Sequence, residues 1–455
     1  MQGLLTLEQL ELAVQRQEID TVICALPDMY GRLVGKRMAA PFFLESVARG
    51  GMHVCDYLLA CDMEMDPVPG YALTSWETGY GDFHWTPDLA TLRRADWLQR
   101  TALLLGDLDH PDHRPVEEAP RQVLKRQVQR AAAMGYRVYG AAEIEMYCLD
   151  ETFDAARSRR YADLRMAGSY IEDYHLLQGT RVEPLIGAIR RALESAGLPV
   201  ECSKGEWGPG QHEINLKYAE AVETCDRAAL FKHICKEVAL QQGKAVTFMA
   251  KLDENLAGNG QHLHLSLRSL EGDRPVFEGS AHTRTFNVPF RHFLGGMLAH
   301  SREWSAFLAP NPNSYKRFQV GSFAPTAIAW SVDNRTSGFR VVGEGSSLRV
   351  ECRIAGADAN AYLALAGLLA AGLDGLEKAI EPGEPISGDL YAVEGLPRVP
   401  SSLPEAARIF AESPHVAAAL GSGVQSHYAH FLATEQRKFA AAVTDWERMR
   451  YFERI

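Results

Sequence analysis

"AAEIEMYCLD", residues 141–150, places Glu143 and Glu145 one residue apart inside an apolar, aromatic run. From Tyr136 onward, Val138, Gly140, Ala142, Ile144, Met146 and Cys148 alternate with Tyr139, Ala141, Glu143, Glu145 and Tyr147. Period-2 alternation predicts a strand and sends both glutamates to the same face. Two carboxylates that close repel, and burying either is costly unless something positive neutralises it. A strand facing solvent would explain the pair with no partners at all, but two further strands repeat the pattern. In "GQHLHLSL" (260–267) His262, His264 and Ser266 alternate with leucines. In "LRVECRI" (348–354) Arg349, Glu351 and Arg353 alternate with Val350, Cys352 and Ile354. "GEWGPGQHEINL" (205–216) adds Glu206 and Glu213 around a Gly-Pro-Gly turn. Glutamates, histidines and arginines thus converge on one polar sheet face.

Singly, an HxH pair or an ExE strand is more often incidental than functional. Recurrence on three strands favours a common site. Oxygen-rich ligation with an imidazole suits Mg²⁺ or Mn²⁺ better than Zn²⁺, which prefers closed His/Cys sets. "NPNSYKRFQVGSFAP" (311–325) and "DNRTSGFR" (333–340) contribute Arg317, Arg335 and Arg340. Arginines beside a carboxylate-bound divalent cation are what phosphoryl transfer requires. No Walker A loop is present, since "GRLVGKRM" (31–38) is too short and ends in GKR. Any use of ATP must come from another architecture.

Composition narrows the class. The 455 residues are 46% hydrophobic and 23% charged, a globular balance long enough for two or three domains. Formal net charge is −11 with no basic cluster, so nothing favours nucleic acid. The eight cysteines show no CxxC spacing and read as reduced core thiols of a cytoplasmic protein. The first residues lack a basic targeting segment and predict a helix opened by a Thr6/Gln9 capping box. The longest apolar run, Ala361–Leu373, is too short to span a bilayer and predicts a core helix.

Along the chain, residues 21–40 predict two strands joined by a turn at Asp28–Gly31. The proline-punctuated stretch 107–120 predicts a boundary between domains at 1–112 and 113–455. Helices are expected over Arg121–Met134, Pro184–Ala196, Ala219–Gln242 and 359–380, and strands over "AVTFMAKL" (245–252) and "LRVECRIAG" (348–356). The pattern is α+β, without clean βαβ alternation.

In order along nearly the whole chain, "PDMYGRLVGKR", "AEIEMYCLD", "GEWGPGQHEINL", "GNGQHLHLSL", "NSYKRF", "DNRT" and "VECRIAGADANAYLALAGLLAAGLDGLE" resemble the glutamine synthetase family. The resemblance implies an N-terminal β-grasp-like domain and a large catalytic domain whose antiparallel sheet lines the site. It also implies a homo-oligomeric ring, commonly stacked as a dodecamer, with active sites between neighbouring subunits. It assigns Glu145, Glu206 and Glu213 to one metal and Glu143, His262 and Glu351 to a second. Arg317, Arg353 and the backbone of Gly258 match groups that hold glutamate. Arg335, Arg340 and Arg349 match those around the ATP phosphates, with His264 and Ser266 nearby. Asp28 matches an aspartate offered across the subunit interface to the incoming ammonium. The implied partners are glutamate, ATP as co-substrate, Mg²⁺ or Mn²⁺, and a nitrogen nucleophile that attacks γ-glutamyl phosphate.

One position departs from glutamine synthetases. Their flap carries a glutamate in a segment like "GYEAP", whereas this chain reads "GSFAP" with Phe323 in that place. A phenylalanine provides neither the ionic closure nor the proton acceptor that ammonia needs. The sequence is thereby most similar to the glutamate–amine ligases of the family, of the γ-glutamylethanolamide or γ-glutamylpolyamine synthetase type. A small primary amine, ethanolamine-like, is the expected substrate. The alternatives are a true glutamine synthetase using ammonium, a ring protein without catalysis, and a metal-dependent hydrolase active without ATP.

Overall fold

The computed structural model describes residues 3–455. The chain opens with the Leu7–Gln15 helix, whose capping box forms as expected: Thr6 N–H donates to Gln9 Oε1 at 2.8 Å and Gln9 N–H to Thr6 Oγ1 at 3.2 Å. A six-stranded sheet follows, in the order Leu33–Ala39, Thr21–Pro27, Thr101–Asp109, Asp82–Pro87 and Met52–Cys55, with Arg93–Arg94 added to the 101–109 strand. Its central pair, Thr21–Pro27 and Thr101–Asp109, is parallel and buried, and the flanking pairs are antiparallel. That mixed order is the β-grasp arrangement.

The second sheet has nine strands and carries the alternating segments. From one edge it runs Trp330–Val332, Phe339–Val342, Arg349–Cys352, Gln261–Ser269, Tyr136–Leu149, Gln211–Leu216 and Val200–Gly205, with Ala219–Glu220 and Ala245–Thr247 also paired to the Tyr136–Leu149 strand. Every pair is antiparallel except Trp330–Val332 with Phe339–Val342, which is parallel at the edge. Register puts ionisable residues directly opposite one another: Glu145 faces Glu213, Glu143 faces His262, and Glu351 faces both His264 and Arg340. A one-residue slip would send all of them into the apolar layer.

That layer consists of the Pro120–Ala133, Ala221–Gln241, Val288–Leu308 and Ala361–Lys378 helices packed behind the sheet. The Ala361–Lys378 helix is the expected core helix, buried without break from Ala361 to Gly375. It meets the Val288–Leu308 helix so closely that a Cβ on Gly296 would stand 2.1 Å from the Ala371 carbonyl. Among the described residues no helix is long and apolar enough to cross a membrane. All eight cysteines are free thiols; Cys202 alone is exposed, on the edge strand.

Three elements differ from expectation. The Leu176–Ser195 helix starts two turns before Pro184, which lies inside it. Proline costs that helix one backbone hydrogen bond but does not end it. The strand expected over 245–252 stops at Thr247, whose hydroxyl accepts from Met249 N–H at 3.2 Å and turns the chain. The Arg349–Cys352 strand is shorter than expected, and the Ile354 carbonyl beyond it accepts from Arg317 instead.

One ion cluster joins the smaller sheet to the helical layer. Arg121, 3% exposed, donates to both oxygens of Asp226 at 2.9 Å, to Asp107 at 2.9 Å and to Asp88 at 2.6 Å. The Tyr362 hydroxyl adds a 2.7 Å bond to Asp226. Removing the arginine would leave a buried carboxylate unpaired, a loss of about 3–5 kcal/mol. Arg121→Met should therefore lower unfolding free energy in urea by that amount. Arg114→Met, at a side chain 76% exposed, should change it by less than about 0.5 kcal/mol.

Candidate active site

The polar face of the large sheet floors a cleft of about 1120 Å³. Glu143, Glu145, Glu206, Glu213 and His262 line it together with Gly258, Arg317, Phe323, Arg335, Arg340 and Arg353. Glu351 lies beneath them, and its side chain is fully buried. Ligand atoms of Glu145, Glu206 and Glu213 lie within 4.8 Å of one another. So do those of Glu143, Glu213 and His262, and those of Glu143, His264 and Glu351. Within the expected second set, His262 Nδ1 is 3.4 Å from Glu143 and 3.7 Å from Glu351. His264 Nε2 also reaches Glu143, at 3.0 Å. Its Nδ1, however, accepts from Arg349 Nε at 3.3 Å, so the proton sits on Nε2, which lies close to the carboxylate without hydrogen-bonding it. His262 is therefore the imidazole left free to ligate.

Charge is distributed unevenly over this face. Glu351 pairs with Arg353 at 2.5 Å and Arg340 at 2.8 Å. Burial alone would raise its pKa, but His262, Arg353 and His264 outweigh burial and pull it down to about 2. Burial likewise works against ionisation of Glu143, and the neighbouring imidazoles of His262 and His264 overcome it, so the carboxyl sits well below its usual range. Burial, with Arg353 nearby, lowers the His262 pKa. The other end of the cluster has one cation, Lys204, which contacts Glu206. Burial and the Glu145 charge raise Glu206. Burial and the charges of Glu143, Glu145 and Glu206 push Glu213 well above the ordinary carboxyl range. Carboxylate oxygens crowded with so little protein counter-charge, beside an imidazole, are a donor set that fits hard divalent cations.

The arginines fall into two groups. Arg317 is buried and spends its guanidinium on the carbonyls of Ile354 and Arg353, at 2.9 and 3.1 Å. A Cβ on Gly258 would stand 2.7 Å from its side chain, so only glycine fits there. Arg335 faces the cleft, and its carbonyl accepts from Arg353 Nε at 3.2 Å. Arg349 belongs with His264 at the edge of the cluster. Ser266, paired with Tyr139 in the sheet, is half-buried further along the same strand.

Phe323 stands at the cleft mouth, 48% exposed, with φ of 57°, a left-handed conformation rare for a bulky residue. Its ring meets Trp207 edge-on, with centroids 6.0 Å apart. Neither Trp207 nor Lys204 was singled out from sequence; both flank Glu206, and that adjacency was the available signal. The Tyr391 hydroxyl donates to the Ala324 carbonyl at 2.9 Å, beside Phe323. Asp28 is not brought to the cluster. It is 3% exposed, and its carboxylate is held by Arg32 Nε at 2.7 Å and by the N–H groups of Arg32 and Tyr30 at 2.8 and 3.0 Å. Those bonds pin the turn between the first two strands.

Residues 117–451 match the family model described as glutamine synthetase, catalytic domain. The chain is 48% identical over 451 residues to a gamma-glutamylethanolamide synthetase of Streptomyces coelicolor, covering 99% of this chain and 96% of that protein. It is 35% identical over 445 residues to a glutamate–isopropylamine ligase of a Pseudomonas species, covering 97% of each. A solved GmaS/ADP complex superposes with a TM-score of 0.84 at 27% identity, covering 98% of this chain and 99% of that one.

The raised carboxyls have a consequence for stability. In chelator, folded Glu206 and Glu213 retain protons that the unfolded chain releases above the ordinary glutamate pKa. Stability must then fall as pH rises through that window. Glu213→Gln removes one charge from the crowd without changing its shape. By calorimetry in EDTA it should raise Tm at pH 8 and leave Tm nearly unchanged at pH 5.

Proposed function

The chain belongs to the glutamine synthetase family, and from that premise we propose that it is an ATP-dependent ligase joining the γ-carboxylate of glutamate to a small primary amine. Phosphorylation by ATP makes γ-glutamyl phosphate; the amine nitrogen then attacks the acyl carbon and phosphate leaves. The observation that carries the choice of amine over ammonium is the Phe323–Trp207 pair at the cleft mouth. Two of the similar proteins, named for ethanolamide synthesis and for isopropylamine ligation, support it.

In this reading Glu145, Glu206 and Glu213 hold one divalent cation, Mg²⁺ or Mn²⁺, and Glu143, His262 and Glu351 a second. Bound there, such cations supply charge neutralisation to the nucleotide phosphates and the transferred group. The protein's own groups do the rest. Arg317, Arg353 and the Gly258 carbonyl orient glutamate. Arg340 and Arg349, with His264 and Ser266 behind them, line the phosphate side, and Arg335 offsets charge on the phosphoryl group in transit. Phe323 and Trp207 cover the carbon chain of the amine and exclude water from the acyl phosphate. Asp28, matched to the aspartate offered across the subunit interface, stands beside the incoming amine in the site of a neighbouring subunit. We place the chain in the cytoplasm, as a 1–112 domain and a 113–455 catalytic domain assembled into a ring, commonly a dodecamer.

Burying a two-carbon chain against the aromatic pair is worth roughly 0.8 kcal/mol per CH₂, which favours ethanolamine over ammonium about tenfold. Phosphate release with ATP, glutamate and a panel of amines should show kcat/KM at least about tenfold higher for a small primary amine than for ammonium. Phe323→Glu should reverse that order. Equal use of ammonium and every amine by the unmodified enzyme would make it a glutamine synthetase. Glu351→Ala should abolish phosphate release while leaving the fold intact by circular dichroism; near-normal turnover would overturn the ligand assignment.

A further inference from the structure

Phe323 stands in a left-handed conformation that a bulky residue keeps only where its surroundings hold it. Its own loop supplies little of that hold. Residues 319–323 are exposed or half-buried. Among the described residues, the hydrogen bonds of 319–324 run back within 316–324 with one exception. Ser322, for example, donates to the Gln319 carbonyl from its hydroxyl at 2.6 Å and from its N–H at 3.3 Å. The exception is the Tyr391 hydroxyl, which crosses from another part of the chain to the Ala324 carbonyl, one residue beyond the phenylalanine.

Tyr391 is itself firmly placed. Asp389 accepts from its N–H at 3.0 Å, and Leu390 between them is fully buried. The same segment also grips the loop of Arg335. The Gly388 carbonyl accepts from Asn334 Nδ2 at 2.7 Å, and Leu390 N–H donates to Thr336 Oγ1 at 3.2 Å. Asn334 Oδ1 accepts in turn from the N–H and hydroxyl of Thr336, at 2.9 and 2.8 Å, with Arg335 between the two and facing the cleft. Residues 388–391 therefore bridge the loops that carry Phe323 and Arg335, without lining the cleft themselves. Burial raises the Tyr391 pKa against the opposing Ser322 hydroxyl and the Arg317 and Arg353 charges, so at neutral pH the phenol stays a protonated donor.

We propose that Tyr391 is a positioning residue for the nucleophile: by holding the Ala324 carbonyl it sets where the Phe323 ring meets Trp207, and its loop ties that placement to the loop of Arg335. This rests on the ligase reading above, in which Phe323 covers the amine and Arg335 faces the phosphoryl group. Amine entry and phosphoryl transfer are then joined by a strut behind the cleft wall. Tyr391 acts through Phe323, not on the amine.

Two measurements on the full-length enzyme test the strut. Tyr391→Phe removes the hydroxyl and keeps the ring. Without ligands, hydrogen exchange at the 319–324 amides should speed up about 3- to 10-fold, the worth of one hydrogen bond, with Tm nearly unchanged. Steady-state kinetics should show KM for the amine raised by a similar factor, about 3- to 10-fold, while KM for ATP stays within about twofold. Thr336→Val, which cuts the strut at its far end, should also speed exchange at 319–324. Unchanged exchange in Thr336→Val would overturn the tie to Arg335, and unchanged exchange or unchanged amine KM in Tyr391→Phe would overturn the positioning role. Should the unmodified enzyme use ammonium rather than amines, the ligase reading fails, while the exchange measurements and KM for ammonium still decide the part played by Tyr391.

Discussion

Repulsion among buried carboxylates is the constraint around which this protein is arranged. Glu145 and Glu213 are directly opposed in the sheet, with Glu143 and Glu206 beside them. At an effective dielectric of 20, one pair of unit charges 4 Å apart repels by about 4 kcal/mol, comparable with the whole net stability of many domains. The chain answers on one side only. Glu351 has two arginines and Glu143 two imidazoles, whereas among the described residues the trio of Glu145, Glu206 and Glu213 is in salt-bridge contact with one lysine, Lys204, and one imidazole, His262. That asymmetry leaves a place whose missing charge must come from outside the chain.

Holding such a cluster open requires a floor that does not relax. The apolar backs of the same strands, with Leu263, Leu265 and Leu267 fully buried, lock the register against the helical layer. Glycines at the contact between the Val288–Leu308 and Ala361–Lys378 helices allow close backbone approach behind that floor. Arg121 fixes the smaller sheet to the same layer through Asp88, Asp107 and Asp226. The rigid part of the site lies on strands, while the aromatic mouth lies on a turn and a loop. Metal-ligand geometry is thus fixed early, and the part that distinguishes one amine from another is the part that can vary.

The carboxylate face was legible in the sequence because period-2 alternation reports directly on which side chains share a side. Glu143, Glu145, His262, His264, Glu351 and Arg353 could be placed together before any coordinates. What alternation does not report is burial and partnership. Asp28 reads as an available carboxylate, and only the folded turn shows its oxygens taken by Arg32 and two backbone N–H groups. Pro184 reads as a helix start, because a local rule cannot see the packing that carries the Leu176–Ser195 helix through it. Trp207 and Phe323 are far apart in sequence and meet only when the Gly-Pro-Gly turn and the 319–324 loop close on the same cleft. Arg121, and the meeting of Tyr391 with Ala324, were invisible for the same reason.

Crystals grown with Mn²⁺ and a non-hydrolysable ATP analogue, with diffraction recorded at the manganese absorption edge, test the central claim most directly. The crowded carboxylates predict two anomalous peaks per chain in the cleft, one within bonding distance of Glu145, Glu206 and Glu213 and the other of Glu143, His262 and Glu351. A cleft with no manganese, or manganese bound away from these glutamates, would contradict it.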